Sequence, residues 1–440
     1  MKTISLISLG CSKNLVDAEQ MTGILEESGY NVIENEEDAD IMIVNTCAFI
    51  EDAKKESIDC ILTLASYKAD HPNRMLIVTG CMAQRYRDEV LKEIPEVDAV
   101  VGTNDFPRIA EIIKETEIKR GNVFCDGAET VFEGLKRSVS TPSYTAYLKI
   151  AEGCDNRCTY CAIPYIRGAY RSRKVEDILE EARSLSSRGV KELIIIAQDT
   201  TRYGLDLYKK AMLPHLLKEL CAIDGIEWIR LHYCYPELIS DELIEIIASE
   251  DKICKYMDIP IQHIDDKILR LMGRRTTGAQ IKELIKKLRA RIPGVVLRTS
   301  LIAGFPGEGE EEFNHLYDFV EEARFERLGV FAYSREEGTP ADKLPGHIDE
   351  EIKADRRDKI MLLSEEISEE ISESKIGSVV TVLTEGFDEV IKSYYGRTYA
   401  DSVEIDGKVF FKSSQKIKEG EFKKVKIENA AAFDLFGTAI

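Results

Sequence analysis

Three cysteines lie close together in the middle of the chain, with the spacing Cys-x3-Cys-x2-Cys: Cys154, Cys158 and Cys161. Thiolates at such short intervals can wrap one iron–sulfur cube, in which each iron atom needs one ligand. Three ligands for four irons leave one iron open, and an open coordination site indicates a place for a substrate or cofactor. Zinc is the alternative, but a closed zinc site needs a fourth ligand, and no histidine lies within 20 residues of these cysteines. The spacing therefore favours a catalytic iron–sulfur cluster.

Three further cysteines, Cys11, Cys47 and Cys81, each follow a short apolar run that is rich in β-branched residues. Residues 1–120 alternate such runs with amphipathic stretches, and this order is typical of βα units around a parallel sheet. Loops beyond the carboxyl ends of parallel strands line the ligand crevice. We therefore expect these three thiols, although distant in sequence, to converge at one edge of the sheet.

The chain has 11 cysteines, an odd number that cannot all pair as disulfides. Its start, Met1 to Cys11, ends in Leu-Gly-Cys like a lipoprotein signal, but the segment is too short and has a single lysine. We expect a cytoplasmic protein with reduced cysteines, in which abundant thiols indicate metal binding or catalysis. The thiols outside the two groups are expected to be ordinary packed side chains: Cys60, Cys125, Cys221, Cys234 and Cys254.

The elements that position these cysteines fall into several segments of the 440-residue chain. After a linker at 121–143, residues 144–335 contain six successive βα units, which predict a partial (β/α)6 barrel of the TIM type with functional groups on its strand-end loops. The first of these strands ends just before Cys154. Residues 336–373 predict a connecting segment and a helix with a solvated face.

Residues 374–440 change character and predict a small antiparallel β-barrel, so the whole chain belongs to the α/β class. Its five predicted strands are 379–384, 389–394, 398–403, 409–412 and 422–428. The basic and acidic residues of this segment are equal in number, ten of each.

The charge of the chain limits its partners. Acidic residues outnumber basic ones by 79 to 59, which gives a formal charge of −20. Such a surface repels phosphate backbones, so nucleic acid is a disfavoured partner and a basic protein a favoured one. No apolar run reaches the roughly 18 residues that a membrane span requires, so we expect no membrane association.

The Cys-x3-Cys-x2-Cys motif, with Tyr160 before its last cysteine and at the first strand of a βα barrel, resembles the radical S-adenosylmethionine superfamily. The resemblance implies a 4Fe-4S cluster on Cys154, Cys158 and Cys161, whose open iron chelates the amino and carboxylate groups of S-adenosylmethionine. It also implies that the cofactor yields a 5′-deoxyadenosyl radical. The positions that match the family's cofactor contacts are Tyr160, Gln198, Asp199, Gln262, Arg298 and Gly304.

The order of the three domains resembles the methylthiotransferases, whose last domain is called TRAM. This resemblance implies a second 4Fe-4S cluster on Cys11, Cys47 and Cys81, where sulfur for the product is attached. It also implies that S-adenosylmethionine serves as both radical source and methyl donor. An electron donor such as flavodoxin or ferredoxin is expected as a partner.

The methylthiotransferases divide into enzymes that modify a tRNA adenosine next to the anticodon and enzymes that modify an aspartate of small-subunit ribosomal protein S-twelve. Segments 8–19, 197–204, 404–407 and 433–437 resemble the ribosomal-protein branch. Segment 401–403 departs from it, and segment 163–168 is partly similar to the tRNA branch. Because the acidic chain also suits a basic protein, we expect methylthiolation at the β-carbon of the aspartate, with nucleic acid met only through the ribosome.

Two alternatives stay open. One is a methylthiotransferase that acts on tRNA, and the other is a non-catalytic binding module that carries a cluster or zinc. In the favoured interpretation, the last domain contacts the protein substrate.

Overall fold

The computed structural model describes residues 2–127 and 133–440, so residues 128–132 of the predicted linker lie outside the described part. It contains an N-terminal parallel-sheet domain, a partial βα barrel and a small C-terminal β-barrel. The predicted α/β fold class is confirmed.

The N-terminal domain is one six-stranded parallel sheet with helices on both faces, in the strand order β2-β1-β3-β4-β5-β6. Its strands are β1 (Thr3–Ser8), β2 (Asn31–Val32), β3 (Ile41–Thr46), β4 (Met75–Gly80), β5 (Ala99–Val101) and β6 (Asn122–Phe124). Its helices are α1 (Ser12–Glu27), α2 (Glu51–Asp70), α3 (Cys81–Tyr86), α4 (Asp88–Glu93) and α5 (Ile109–Ile118). Every residue of β3 and β4 is buried, since two separate apolar clusters cover the two faces of the sheet. Strand β6 lies beyond residue 120, so the sheet extends into the segment predicted as a linker.

The second domain is an open, six-stranded parallel sheet in the order β14-β13-β12-β11-β10-β7. The six strands of this sheet, in chain order, are β7 (Thr145–Lys149), β10 (Glu192–Ile196), β11 (Trp228–Leu231), β12 (Ile253–Asp258), β13 (Val296–Ala303) and β14 (Arg327–Ala332), and β8 (Ala151–Glu152) and β9 (Arg171–Ser172) form a separate antiparallel pair. The helices are α6 (Ile163–Ile166), α7 (Val175–Ser187), α8 (Leu213–Cys221), α9 (Asp241–Ser249), α10 (Asp266–Leu271), α11 (Gly278–Arg291), α12 (Glu310–Ala323) and α13 (Glu350–Glu373). Helix α13, predicted as a connection, packs against β13, β14 and α12 and acts as the last helix of the barrel. No helix of the described residues is long and apolar enough to cross a membrane.

The C-terminal domain is a closed five-stranded barrel in the order β15-β16-β17-β19-β18. Its strands are β15 (Val379–Asp388), β16 (Ser393–Arg397), β17 (Val409–Lys412), β18 (Phe422–Ala430) and β19 (Leu435–Ala439). Pairing is antiparallel except between β17 and β19, which run parallel.

Two of the predicted strands are wrong. Residues 389–394 mostly form a turn, because the Asp388 carboxylate accepts the backbone N–H groups of Val390 and Ile391, and β16 begins only at Ser393. Residues 398–403 form no strand, and the fifth strand of the barrel is β19 instead.

Residues 398–408 form what we call the filling loop, which enters the barrel on the face of the sheet opposite its helices. Ala400 packs with Tyr256 and Val296, and Val403 packs against the cluster that contains Ile194. Buried ion pairs hold this region in place. Arg327 pairs with Asp401, and Arg230 and Arg397 both pair with Glu192. The filling loop therefore occupies the interior that six strands alone cannot close.

Candidate active site

The three N-terminal cysteines lie at the carboxyl ends of three neighbouring strands. Cys11 follows β1 and precedes α1, Cys47 follows β3, and Cys81 begins α3 directly after β4. Because β1, β3 and β4 are adjacent in the sheet, the thiols come to the same edge, as the sequence predicts. We call this group the N-terminal triad.

Close packing around the N-terminal triad explains why glycine occupies position 10, beside Cys11. Gly10 has a φ of 86°, and a Cβ there would lie 2.7 Å from Cys47 Cβ and 2.9 Å from its Sγ. The Cys81 Sγ donates to Asn14 Oδ1 at 3.5 Å. Burial raises the pKa of Cys81 to about 12, although the nearby Arg167 guanidinium opposes the shift. The Cys81 thiol is therefore protonated when free, and thiolate coordination of a metal would release its proton.

The second group, which we call the barrel triad, lies on the loop between β8 and α6. Gly153 starts this loop with a φ of 79°, and a Cβ there would lie 2.0 Å from the carbonyl oxygen of Ala169. The Cys154 N–H donates to Gly168 O at 3.1 Å, and the Thr159 N–H donates to Met272 O at 2.9 Å. Backbone hydrogen bonds therefore hold the loop at its first cysteine and at Thr159, between its other two cysteines.

Cys158 is the most enclosed thiol of the barrel triad, at 8% exposure. It lies 3.3 Å from the Tyr235 hydroxyl and 4.0 Å from a guanidinium nitrogen of Arg274. Arg274 stacks on Tyr235 at 3.9 Å from the ring centroid. Burial raises the pKa of Cys154 to about 11 and that of Cys161 further.

Gln198 and Asp199 follow β10 and lie beside the barrel triad. The Gln198 Nε2 donates to Glu152 at 2.7 Å, and its Oε1 is buried with no partner among the described residues. Both carboxylate oxygens of Asp199 are engaged, by Asn156 at 2.8 Å and Thr201 at 2.5 Å. Burial raises the pKa of Asp199. Gln198 therefore offers a free acceptor, whereas Asp199 holds the cysteine loop through Asn156.

The other four residues predicted as cofactor contacts differ in their surroundings. Tyr160 packs edge-on against Phe305, with ring centroids 6.4 Å apart. Gln262 has a φ of 71° and bridges to Leu301 beyond the end of β12. Arg298 is held by Asp258 at 2.7 Å, and Gly304 is covered by α13, since a Cβ there would lie 2.4 Å from Lys353 Cγ. The structure therefore joins Tyr160, Gln198 and Asp199 to the barrel triad, and it gives Arg298 and Gly304 other partners.

A buried ionic network connects the two triads. Arg167, at 2% exposure, donates to Asp17 at 2.8 Å and to Glu152 at 2.9 Å, and its other terminal nitrogen lies 3.6 Å from Cys81 Sγ. Glu152 is two residues before Cys154 and also accepts from Lys149 at 2.9 Å. Arg167 therefore contacts a thiol of one triad and a carboxylate beside the other.

This network was not predicted from the sequence. Arg167 and Asp17 are 150 residues apart, and no local pattern connects them. The available signal was the pair of acidic residues, Asp17 and Glu152, next to cysteine-bearing strand ends, where an unpaired buried carboxylate would be unfavourable.

The donor sets can be tested against the metal groups that the sequence suggests. Across residues 2–127 and 133–440, no three Cys, His, Asp or Glu side chains are drawn together as ligands of one ion. A cube spreads its ligands over separate corners, so three thiols that do not converge on one point fit a 4Fe-4S cluster better than zinc. The remaining cysteines, Cys60, Cys125, Cys221, Cys234 and Cys254, are free and belong to neither triad.

Comparisons with known proteins agree with this architecture. Three family models match in order: the uncharacterized protein family UPF0004 at residues 3–102, the radical SAM superfamily at 148–320 and the TRAM domain at 376–440. The chain is 54% identical over its whole length to the ribosomal protein uS12 methylthiotransferase RimO of Clostridioides difficile, covering 99% of that protein. It is 53% identical to RimO of Acetivibrio thermocellus, with 100% of this chain and 98% of that protein covered.

The chain belongs to the RimO family. Its reaction class is that of a radical S-adenosylmethionine methylthiotransferase, with S-adenosylmethionine and a 4Fe-4S cluster as cofactors. Membership confirms the resemblance to the methylthiotransferases drawn from the order of the three domains.

Solved structures support the fold of this RimO-family chain. The radical S-adenosylmethionine methyltransferase TsrM of Kitasatospora setae matches with a TM-score of 0.58 at 15% identity, covering 77% of each chain. The cobalamin-dependent S-adenosylmethionine radical enzyme OxsB matches with a TM-score of 0.53 at 14% identity, over 83% of this chain and 56% of that one. At these identities the likeness concerns the fold alone.

Proposed function

We propose that the chain replaces a hydrogen on the β-carbon of an aspartate in ribosomal protein uS12 with a methylthio group. One observation carries the proposal: two cysteine triads from two domains lie on facing strand-end loops and are connected through Arg167. Full-length relatives with about half of their residues identical are named as uS12 methylthiotransferases, which supports the substrate.

In this proposal, each triad holds one 4Fe-4S cluster: Cys154, Cys158 and Cys161 the first, Cys11, Cys47 and Cys81 the second. When bound, the first cluster and S-adenosylmethionine supply the chemistry of hydrogen abstraction, and the second cluster supplies that of sulfur delivery. The chain's own contribution is to enclose both clusters and to hold the substrate between them.

Several residues orient the cofactor in this proposal. Gln198 Oε1 is buried without a partner among the described residues, so it would accept an N–H of the cofactor's amino group. Tyr160, Asp199 and Gln262 stay predicted contacts at the barrel triad. Arg298 and Gly304 would act at a distance, because Arg298 pairs with Asp258 and the Gly304 N–H donates to Glu308.

Arg167 also bears on the tRNA alternative. That alternative rested on segment 163–168, but Arg167 in this segment is used inside the protein, against Asp17, Glu152 and Cys81. The segment therefore has a structural explanation that requires no tRNA. We propose further that the reaction occurs in the cytoplasm with flavodoxin or ferredoxin as electron donor.

The function is tested with anaerobically reconstituted protein, a reductant, S-adenosylmethionine, a sulfur source and uS12. Mass spectrometry of uS12 should show the mass gain of one methylthio group in place of hydrogen, localised to one aspartate. Thiomethylated adenosine in tRNA digests, with unmodified uS12, would establish the tRNA activity instead. Absence of S-adenosylmethionine cleavage would point to a binding module.

Iron content tests the two clusters separately. The intact protein should bind about eight irons per chain, as two 4Fe-4S clusters require. Cys154→Ala and Cys11→Ala should each remove about half of the iron, because each variant disables one triad. Cys60→Ala, a change at a thiol outside both triads, serves as the control and should leave the iron content unchanged. An intact protein with only four irons, all of them retained in Cys11→Ala, would contradict the second cluster.

A further inference from the structure

Lys13 is an unusual buried cation. Among the described residues, every buried lysine and arginine forms an ion pair with a carboxylate except Lys13 and Arg274. Arg274 is used beside Cys158 and Tyr235. Lys13, at 7% exposure, has no carboxylate in contact within the described part of the chain. Burying an unpaired charge is unfavourable, so such a side chain indicates a partner that arrives with a ligand.

The contact that Lys13 does make is with an aromatic ring. Its Nζ lies 3.2 Å from the centroid of the Tyr233 ring, a cation–π contact that partly replaces hydration and leaves the hydrogen-bonding capacity of the ammonium free. Tyr233 has a φ of 58°, a left-handed backbone that is unfavourable for a residue with a side chain. That backbone is held because its N–H donates to Asp258 at 3.0 Å and its carbonyl accepts from the Thr200 N–H at 3.0 Å.

The position of Lys13 lies between the two domains. It is two residues after Cys11, and its neighbour Asn14 accepts from Cys81, so it belongs to the edge that carries the N-terminal triad. Tyr233 lies past the end of β11, on the strand-end side of the barrel that also carries Gln198 after β10. One turn further along α1, Val16 packs with Ile194 of β10. The ammonium group therefore lies where the N-terminal edge meets the mouth of the barrel.

We propose that Lys13, supported by the Tyr233 ring, binds the carboxylate of the substrate aspartate. The inference rests on the proposed function and names a specificity residue for it. The carboxylate carbon of aspartate is bonded directly to the β-carbon, so an ammonium that grips the carboxylate also positions the carbon that reacts. A nucleobase has no such anionic group, and Lys13 would therefore also favour the protein substrate over adenosine.

The carboxylate of S-adenosylmethionine is a second possible source of this anion. The radical S-adenosylmethionine resemblance assigns that group to the open iron of the barrel triad, which leaves Lys13 to the substrate. The experiment separates the two by measuring the affinity for each ligand.

The test uses the reconstituted protein with Lys13→Met, Lys13→Arg and, as a matched control, Lys210→Met at an exposed lysine of the barrel. Equilibrium binding is measured for uS12, for uS12 with the target aspartate changed to asparagine, and for S-adenosylmethionine; iron content is measured in parallel. Wild type and Lys210→Met should prefer aspartate by about tenfold or more, since a charged hydrogen bond is lost with asparagine. Lys13→Met should bind both forms equally, and Lys13→Arg should keep part of the preference. Iron content and affinity for S-adenosylmethionine should stay the same in all of them.

A preference that persists in Lys13→Met would overturn the inference. A selective loss of affinity for S-adenosylmethionine in Lys13→Met would overturn it too, by assigning the ammonium to the cofactor. Failure of the wild-type protein to bind or modify uS12 would instead show that the proposed function itself is wrong, and the inference with it.

Discussion

At the scale of single residues, the site depends on backbone conformations and close contacts that only glycine allows. Gly153 opens the loop of the barrel triad at a point where the carbonyl of Ala169 leaves no room for a Cβ. The cysteine spacing predicts from sequence that a cluster is held there, because that spacing is local. The need for glycine at 153 did not follow from the spacing, because the carbonyl of Ala169 approaches position 153 only in the folded protein.

Gly153→Ala should therefore lose the cluster of the barrel triad. The added methyl would force the loop away from Ala169, and we expect the iron content to fall by about half. Gly121→Ala is the matched control: Gly121 has the same φ of 79° but nothing within 4 Å of its Cβ position. If both variants lost iron equally, backbone conformation alone rather than the close approach would be the cause.

Glu192 illustrates a buried charge that holds two domains together. It is fully buried and accepts from Arg397 at 2.6 Å and from Arg230 at 2.9 Å. Burial by itself would raise the pKa of Glu192, but the two guanidinium groups outweigh it and lower the pKa to about 2. Nothing in the local sequence indicated the pairing, because Arg397 is 205 residues away.

Replacement of Glu192 by glutamine should destabilise the junction between the two barrels by about 3–5 kcal/mol, because two buried arginines lose their counter-ion. A lowered pKa means that the ion pair stabilises the folded state fully above the unfolded value of about 4.5, and that this contribution is lost as the pH falls toward about 2. Thermal unfolding of the metal-free protein should therefore show a difference between wild type and Glu192→Gln that is large near neutral pH and shrinks below about pH 4.5. A difference that grew on acidification would contradict this assignment.

At the scale of elements, the βα order was predictable because buried strands and amphipathic helices alternate regularly. The filling loop was not. Residues 398–403 are predicted as a strand, yet Asp401 accepts the N–H and hydroxyl of Thr398 and turns the chain. Ala400 and Val403 are apolar because they pack inside the neighbouring barrel, not because they face the core of their own domain. Tertiary contacts with another domain overrode the local pattern.

The packing of α13 against the end of β13 gives a test at this scale. Gly304 follows β13 with a φ of 77°, and α13 covers it so closely that a Cβ would lie 2.9 Å from Lys353 Cβ. Gly304→Ala should push α13 away from the sheet and lower the free energy of unfolding. The loss should exceed that of a control glycine variant by about 1–3 kcal/mol.

The control is Gly338→Ala, because Gly338 has a φ of 76° and open space around it. Chemical denaturation followed by circular dichroism measures both variants. Equal stability of the two would show that the contact with α13 is unimportant, and a loss of affinity for S-adenosylmethionine without loss of stability would favour the cofactor contact predicted for Gly304.

At the scale of the whole molecule, charge is divided unevenly. The C-terminal domain has equal numbers of basic and acidic residues, so the excess of 20 negative charges lies in residues 1–373. A basic protein substrate is attracted to that part of the molecule, and the attraction should weaken with salt. The neutral C-terminal barrel would have to bind the substrate through contacts other than charge.

The outer face of the C-terminal barrel carries an aromatic row. Tyr395, Phe410 and Phe436 lie opposite one another on β16, β17 and β19, and the rings of Phe410 and Phe436 stack at 5.7 Å. Phe436 is 36% exposed. Deletion of residues 375–440 would be a poor test of this surface, because it would remove the filling loop and leave Arg230 and Glu192 uncovered in the barrel.

Phe436→Ala tests the surface without disturbing the filling loop. If the aromatic row contacts uS12, this change should weaken binding by about tenfold, as loss of an aromatic anchor does. The salt dependence of binding should stay that of wild type, since the charges of residues 1–373 are unchanged. Ile118→Ala, at an 89% exposed side chain of α5, is the control and should bind uS12 normally. If Phe436→Ala bound uS12 normally, with the salt dependence of wild type, recognition would instead belong to the acidic domains. The C-terminal barrel would then have the structural role of inserting the filling loop into the neighbouring barrel.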